Sequence, residues 1–212
     1  GITSVAITNG SFLPEGTIGA FDGSIGAITI TNGSLFGDVY ADFDITALRV
    51  VAGADGIFGD IGVNPALSAG LSADARRNQL PVGVGADSSF QGPSIIAGRN
   101  ITSIAVSNGS IFESSIFARR AIRAVTVTGD VRNDELTSGT GSFFAAGDSI
   151  DAITVTGNVS NAAFLAGVVS LGNDNRPGGT GVNADTIKSG TITRVAATGA
   201  TTNSTFSAGI NA

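Results

Sequence analysis

Three acidic residues of this sequence follow short apolar turns of similar composition. Residues 34–39 and 56–61 share Phe-Gly-Asp followed by Val or Ile, and residues 11–15 end in Pro-Glu. If these segments repeat in space, Glu15, Asp38 and Asp60 fall in one column. Two carboxyl groups about 5 Å apart can act as acid and nucleophile of a retaining glycosidase, and carboxylate oxygens also bind Ca²⁺. The alternative is a solvated corner at which water and salt screen the repulsion between the carboxylates.

The residue types that are missing restrict the chemistry further. The 212 residues include no His, Cys, Met or Trp. Without imidazole or thiol groups, Ser-His-Asp and Cys-His nucleophiles, His or Cys zinc sites and disulfides are excluded. An enzyme would have to use carboxylates, arginines, Lys188 or Tyr40. Lys188 has no recognisable catalytic neighbour in the sequence, so we expect it to lie on the solvated surface. No cofactor is expected, and Ca²⁺ is the one ion that the acidic residues suggest.

A glycine-rich segment offers a second candidate for Ca²⁺ binding. Residues 178–185, Gly-Gly-Thr-Gly-Val-Asn-Ala-Asp, partly resemble the calcium-binding glycine-rich nonapeptide. Asn183 stands where that motif has Asp, and Asp185 stands where it has an inward apolar residue. A single imperfect copy has no second copy on which to stack. We therefore expect a surface loop here.

Charge and hydropathy restrict the partners and the cellular location. Seventeen acidic residues against eleven basic ones give a net charge of -6, which disfavours nucleic-acid binding. Every apolar run is interrupted by Gly, Ser, Thr or Asn before it reaches the roughly 18 residues of a membrane helix, so no membrane span is expected. An acidic chain rich in Thr, Asn and Gly and with a single Lys is typical of bacterial surface proteins. This composition predicts an extracellular or cell-surface location.

Internal repeats determine where these side chains lie. A pattern of Ile, two variable residues and two apolar residues separated by one position occurs seven times. The apolar residues of the last two positions alternate with small or polar ones, which is the period of a strand with one buried face. The copies begin at Ile2, Ile25, Ile45, Ile101, Ile122, Ile150 and Ile192.

A second, shorter pattern of a small residue, apolar residues and Ala follows each turn. Its copies lie at residues 17–20, 39–41, 94–98, 115–118, 142–147, 163–167 and 204–209. A unit of 20 to 23 residues with two or three short strands cannot bury its apolar face alone and must stack on its neighbours. We count roughly eight coils, one of them a degenerate coil in which Leu80, Val82 and Val84 replace the first pattern.

Stacked repeats of this kind resemble the right-handed parallel β-helix of many bacterial adhesins, autotransporter passengers and surface-repeat proteins. The resemblance implies an all-β solenoid that forms a single domain over residues 1–212. A two-sheet sandwich is the structural rival, because it also has short strands and regular turns. The constant register of the first pattern favours the solenoid, since sandwich strands need not resemble one another.

Two segments interrupt the repeat. Residues 64–79 begin with Asn-Pro and carry Arg76 and Arg77 near their end, which favours a short helix, although Leu67 to Gly70 also fit the second pattern. Residues 171–186 have turn chemistry and little apolar content, which indicates a surface loop. Insertions from repeats often project on one face and bind partners there, but a tolerated loop without a role is the alternative.

The repeats begin at residue 2 and end at Gly209, and the sequence shows no amphipathic cap. We therefore expect each end to meet a further coil, either of a longer polypeptide or of another copy in a head-to-tail homopolymer. This predicts a non-enzymatic structural surface protein that forms a filament or a segment of an extracellular rod. The alternatives are a carbohydrate-active β-helix enzyme similar to polysaccharide lyases or glycosidases, and an adhesin whose loops bind a glycan or a cell-surface partner.

Overall fold

In the computed structural model the chain winds into a solenoid of parallel strands with three faces. The structure describes residues 1–13, 16–52, 61, 93–132, 142–171, 181 and 184–209. Each coil contributes strands or single bridges to the three faces, and these pair in parallel with the equivalent residues of the next coil. A sandwich is built from antiparallel sheets, so this topology confirms the parallel β-helix and excludes its rival.

Face A carries the longest strands and the first repeat pattern. Its strands, in spatial order, are β1 (Ile2–Thr8), β3 (Ile25–Thr31), β5 (Ile45–Val51), β7 (Ile101–Ser107), β10 (Ala121–Val127), β13 (Ser149–Val155), β18 (Thr191–Ile192) and β19 (Val195–Ala197), the last two both pairing with β13. Two outward residues, Gly26 and Ala27, separate the buried Ile25 and Ile28, so the strand bends there. At the same place in the last coil, the strand is divided into β18 and β19.

Face C carries the second repeat pattern on seven short strands. They are β2 (Thr17–Ala20), β4 (Asp38–Ala41), β6 (Ser94–Ala97), β9 (Ser115–Ala118), β12 (Phe143–Ala146), β15 (Ala163–Ala166) and β21 (Thr205–Ala208). Face B lies between faces A and C and is shorter still. In the first coils it consists of single bridges, which join Phe12 to Leu35, Leu35 to Ile61 and Ile61 to Ile111. The later coils contribute short strands: β8 (Ile111–Phe112), β11 (Val131–Arg132), β14 (Val159–Ser160) and β20 (Thr201–Thr202).

The described residues form seven coils rather than roughly eight. β5 pairs with β3 on one edge and with β7 on the other. Because both edges of β5 are occupied, no coil fits between it and β7. Ser94–Ala97 therefore completes the coil that begins at Ile45 and does not belong to a coil begun by Leu80, Val82 and Val84. Those three residues, and the helix expected at residues 64–79, lie outside the described residues.

The core is a set of columns in which the same motif position recurs from coil to coil. On face A, Ile25 pairs with Ile2 and Ile45, and the register continues to Ile192. The inner columns of the central coils are fully buried. They include Ile28, Ile30, Leu35, Val39, Ile45, Val50, Ile95, Ile101, Ile116, Ile122, Val131, Phe144, Ile150 and Phe164. Such columns fill the narrow interior, and their burial supplies the main driving force for folding.

The turn that follows face A is made by asparagine in the left-handed region. Asn9, Asn32 and Asn108 have φ of 56°, 54° and 58°, a conformation that Asn adopts more readily than most residues. Polar side chains then tie successive coils together. Ser110 Oγ accepts a hydrogen bond from Asp130 N at 2.9 Å, and Asp130 Oδ1 accepts one from Asn158 N at 2.7 Å.

One excursion leaves the solenoid at the sixth coil. β16 (Val168–Ser170) pairs in antiparallel fashion with β17 (Thr186–Ile187), and most of the residues between them lie outside the described part. Val168 is buried in a second apolar cluster, which also contains Phe117, Phe143 and Ala145 on the outer side of face C. The excursion therefore begins by packing against this outer surface. The described part of the chain contains no helix long and apolar enough to cross a membrane.

Candidate functional site

Asp38 is the one member of the predicted carboxylate column that the structure describes. It is the exposed first residue of β4 and pairs with Thr17 of the coil before. Its Oδ1 accepts a hydrogen bond from Ser94 N of the coil after, at 2.8 Å. The column at this position is therefore Thr17, Asp38 and Ser94, and the carboxylate helps to hold two coils together.

The carboxylate column was predicted by aligning residues 34–39 with residues 56–61. This alignment differs from the strand register in the structure. The similarity between residues 34–39 and 56–61 places Val39 opposite Ile61. In the structure, Leu35 is the residue that pairs with Ile61, because Leu35 is the inward residue of face B. Glu15 and Asp60 lie outside the described residues. Within the described ranges, no group of three or more acidic side chains is positioned to hold a metal ion.

Lys188 forms an ion pair on the surface, as the sequence predicts for a solvated side chain. Its Nζ lies 2.5 Å from Asp148 Oδ1, and both side chains are about half exposed. An exposed pair of this kind contributes little to stability. The pair lies beside β17 and ties the returning end of the excursion to the fifth coil. Most of the glycine-rich segment at residues 178–185 is outside the described part.

A surface that the sequence did not predict lies where face C turns towards face A in the first two coils. We call it the aromatic corner and define it by Phe21, Tyr40 and Asp42. Tyr40 Oη donates a hydrogen bond to Asp42 Oδ1 at 2.5 Å, and Asp22 N donates one to Asp42 Oδ2 at 2.6 Å. The rings of Phe21 and Tyr40 have centroids 5.7 Å apart and are inclined by 36°.

Local backbone positions explain this arrangement. Tyr40 is an outward residue of β4, and its neighbour in the coil before is Gly19. A Cβ on Gly19 would lie 3.1 Å from the Phe21 ring, so the glycine leaves the space over which that ring lies. Phe21 is 76% exposed despite this support.

The hydrogen bond within the aromatic corner shifts both pKa values away from neutrality. The bond donated by Tyr40 is the main cause that lowers the pKa of Asp42, and the Asp22 N–H and the charge of Arg119 lower it further. The same bond is the main cause that raises the pKa of Tyr40, with burial and the charge of Asp42 adding to it. Near pH 7 the pair is thus an ionised carboxylate and a neutral phenol. It can accept and donate hydrogen bonds, but neither group is poised for proton transfer at that pH.

A third aromatic residue directly follows Asp42 on the same turn. Phe43 is 37% exposed, and the Arg99 guanidinium lies 4.3 Å from its ring centroid. Asp44 accepts two hydrogen bonds from Asn100, through its backbone N and its side-chain Nδ2, at 3.0 and 2.9 Å. The turn that carries the aromatic corner is therefore fixed to the next coil.

Sequence reasoning missed the aromatic corner because its residues belong to different coils. Each face C strand of the first two coils ends in Ala. Phe21 directly follows Ala20, and Asp42 directly follows Ala41. At this position the third coil has Gly98 and the fourth has Arg119. The first two coils thus have Phe and Asp at a position where later coils have Gly or Arg. This difference is the feature of the sequence that could have indicated a special surface here.

The ends of the described solenoid expose the same columns that the central coils bury. In the first coil, Ile2, Val5 and Ile7 are partly buried and pack against the core. In the last coil, Phe206 is 44% exposed although its ring stacks on Phe164. At each end of the described solenoid the inward side chains thus form an apolar surface. Its columns are spaced as they are in an internal coil.

The chain was compared with protein-family models, with curated proteins and with solved structures, and none of these comparisons gives a match.

Proposed function

We propose that this chain is a non-enzymatic structural protein that forms part of an extracellular or cell-surface rod and extends end to end by coil stacking. The observation that carries the proposal is the continuity of the inward columns. Ile2 and Ile192 belong to one column and Ile18 and Phe206 to another, so the last coil of one copy has the register needed to receive the first coil of the next.

The energetic argument follows from the exposed terminal columns. Stacking one coil on another buries apolar side chains and pairs strand edges, as each internal coil does. The contact is heterologous and need not close, so it generates a linear assembly rather than a ring. At about 4.8 Å for each coil, seven coils add roughly 34 Å to such a rod. A following coil of a longer polypeptide would satisfy the same surfaces in the same way.

The outer surface of face A supports a structural role. Its outward positions are mainly Thr, Ser and Ala, and the exposed Arg123 pairs with Asp151 at 2.9 Å. A polysaccharide lyase-like or glycosidase-like enzyme, the alternative from the sequence, requires clustered charged side chains along a groove. Asp38 gives that alternative little support, because its carboxylate is engaged with Ser94 N.

Concentration-dependent association tests the proposal. We expect sedimentation velocity and negative-stain microscopy to show linear particles that lengthen as the protein concentration rises. Phe206→Lys places a charge on the apolar end and should suppress this association. Phe43→Lys is the matched control, since it makes the same change on an exposed Phe of the second coil, which has a coil on either side, and it should leave association unchanged.

Two results would overturn the end-to-end part of the proposal. One is a wild-type chain that stays monomeric at every concentration. The other is association that Phe206→Lys and Phe43→Lys reduce equally, because this would place the contact on the side of the rod. Circular dichroism on both variants verifies that the strands are retained.

A further inference from the structure

We propose that the aromatic corner is a non-catalytic binding platform for a neutral pyranose unit of a polysaccharide. The inference goes beyond the structural role, because it concerns the side of the rod and does not depend on end-to-end stacking. It stands on the geometry of Phe21, Tyr40 and Asp42.

The first argument is a large aromatic face that is exposed and yet held in place. Phe21 is 76% exposed, which leaves most of its ring open to solvent. The ring lies over Gly19 and contacts the ring of Tyr40, so its position is supported by two neighbours. Exposed apolar surface that is fixed before binding loses little conformational entropy when a ligand covers it.

The second argument is a hydrogen-bond acceptor of fixed orientation next to that face. Asp42 receives one hydrogen bond on each carboxylate oxygen, from Tyr40 Oη and from Asp22 N. A carboxylate has about four lone-pair sites, so further donors can be accepted. Because Asp42 stays ionised near neutral pH, such bonds are charge-assisted and stronger than those between neutral groups.

These two features match the two surfaces of a sugar ring. A pyranose presents an apolar face of C–H groups and a rim of hydroxyl donors. The C–H face fits an aromatic ring, while a rim hydroxyl fits the adjacent carboxylate. Asp22 and Asp42 lie on the equivalent turns of the first two coils, joined by the hydrogen bond from Asp22 N to Asp42 Oδ2. Their charges disfavour a uronic acid by like-charge repulsion.

The same charges argue against a second copy as the occupant. A two-fold contact would place the aromatic corner of one copy on that of the other, since an isologous interface uses the same patch twice. Asp22 and Asp42 would then face their own equivalents across an apolar interface from which water is excluded. A neutral sugar covers Phe21 without bringing this repulsion.

The chain provides its own probe for this surface. Tyr40 is the single Tyr and there is no Trp, so tyrosine fluorescence reports on the aromatic corner alone. The test titrates the intact chain with neutral gluco-, xylo-, manno- and galacto-oligosaccharides and with oligogalacturonate, and follows fluorescence and binding heat. We expect saturable binding of at least one neutral oligosaccharide, in the millimolar range.

Variants then locate the binding. Phe21→Ala should weaken it at least tenfold. Gly19→Ala should weaken it by a smaller factor, because the added Cβ lies 3.1 Å from the Phe21 ring and shifts that ring only slightly. Asp42→Asn should weaken it less, since the aromatic face is retained. Phe206→Ala is the control at the far end of the solenoid and should leave the affinity unchanged.

Four outcomes would overturn the proposal. They are the absence of binding by every neutral oligosaccharide, affinity that is unaltered by Phe21→Ala, tighter binding of oligogalacturonate than of any neutral sugar, and dimerisation that depends on Phe21. Failure of end-to-end association would leave the sugar proposal standing, because the two proposals concern different surfaces.

Discussion

The ring of Phe206 lies on that of Phe164, with centroids 5.0 Å apart and planes inclined by only 2°. Phe164 lies in turn on Phe144 at 4.9 Å and 7°. These separations are those of neighbouring strands, so the strand spacing of the solenoid sets the stacking distance of the rings. Phe144 and Phe164 are fully buried, while Phe206 is 44% exposed.

Because Phe164 and Phe206 differ in burial, truncating them to Ala should reduce the free energy of unfolding by different amounts. Phe164→Ala opens a cavity between two rings and should reduce the free energy of unfolding by about 3–5 kcal/mol. Phe206→Ala removes a ring that has one covered side and should cost about 1–2 kcal/mol. Urea denaturation followed by circular dichroism measures both. Equal losses for the two variants would contradict the burial that we describe.

The Asn-Gly-Ser turns give a matched pair of glycines in consecutive coils. A Cβ on Gly33 would overlap the carbonyl oxygen of Gly10 in the coil before it, whereas a Cβ on Gly10 meets only the Ile7 side chain at 3.9 Å. We expect Gly33→Ala to destabilise the chain by about 1–3 kcal/mol, since the coils must move apart. Gly10→Ala should leave the unfolding free energy almost unchanged, which chemical denaturation would verify.

The same glycine pair connects folding with assembly. In a head-to-tail stack, Gly10 of one copy faces the last coil of the next copy, as Gly33 faces Gly10 within the chain. Gly10→Ala should therefore weaken end-to-end association without weakening the fold. Sedimentation velocity of this variant, compared with wild type at equal concentration, makes the measurement. Unchanged association would show that the copies do not repeat the internal coil contact.

The inward columns could be predicted from the sequence because each depends on spacing within one motif. Ile25 and Ile45 begin copies of the same pattern, and the structure pairs them directly. The corners could not be predicted in this way. Residues 34–39 and 56–61 look alike, but the need to keep Leu35 and Ile61 in one buried column overrides that local similarity. Burial of the inward residue outweighs the identity of exposed ones.

The aromatic corner could not be predicted from the repeat patterns for a related reason. The contact of Phe21 with Tyr40 joins adjacent coils, and it needs both the turn length after Ala20 and the glycine at position 19. Four residues separate Ala20 from Ile25, whereas three residues separate the equivalent Ala and Ile in each of the next four coils, so the first turn departs from the common spacing. Only the register of the folded strands brings these residues together.

The phenol of Tyr40 should titrate above its ordinary pKa of 10.0, because the bond to Asp42 stabilises the neutral form. As the single Tyr of the chain, it gives an ultraviolet absorbance change that belongs to one group. We expect Asp42→Asn to lower this pKa towards 10.0. A raised pKa favours the folded state below the unfolded value, and that contribution is lost as pH rises through the folded pKa. An unchanged tyrosinate titration in Asp42→Asn would contradict the hydrogen bond.

The pKa of the Asp42 carboxylate should be shifted in the opposite direction, and its effect on stability should appear at acid pH. Its pKa lies below the ordinary 3.8, chiefly because Tyr40 donates a hydrogen bond to the ionised form. The stabilising effect is therefore present above the unfolded pKa and is lost as pH falls through the lower, folded one. We expect NMR titration of the Asp42 carboxyl carbon to give a midpoint below 3.8, and Tyr40→Phe to raise that midpoint. A midpoint that Tyr40→Phe leaves unchanged would contradict the hydrogen bond from Tyr40 to Asp42.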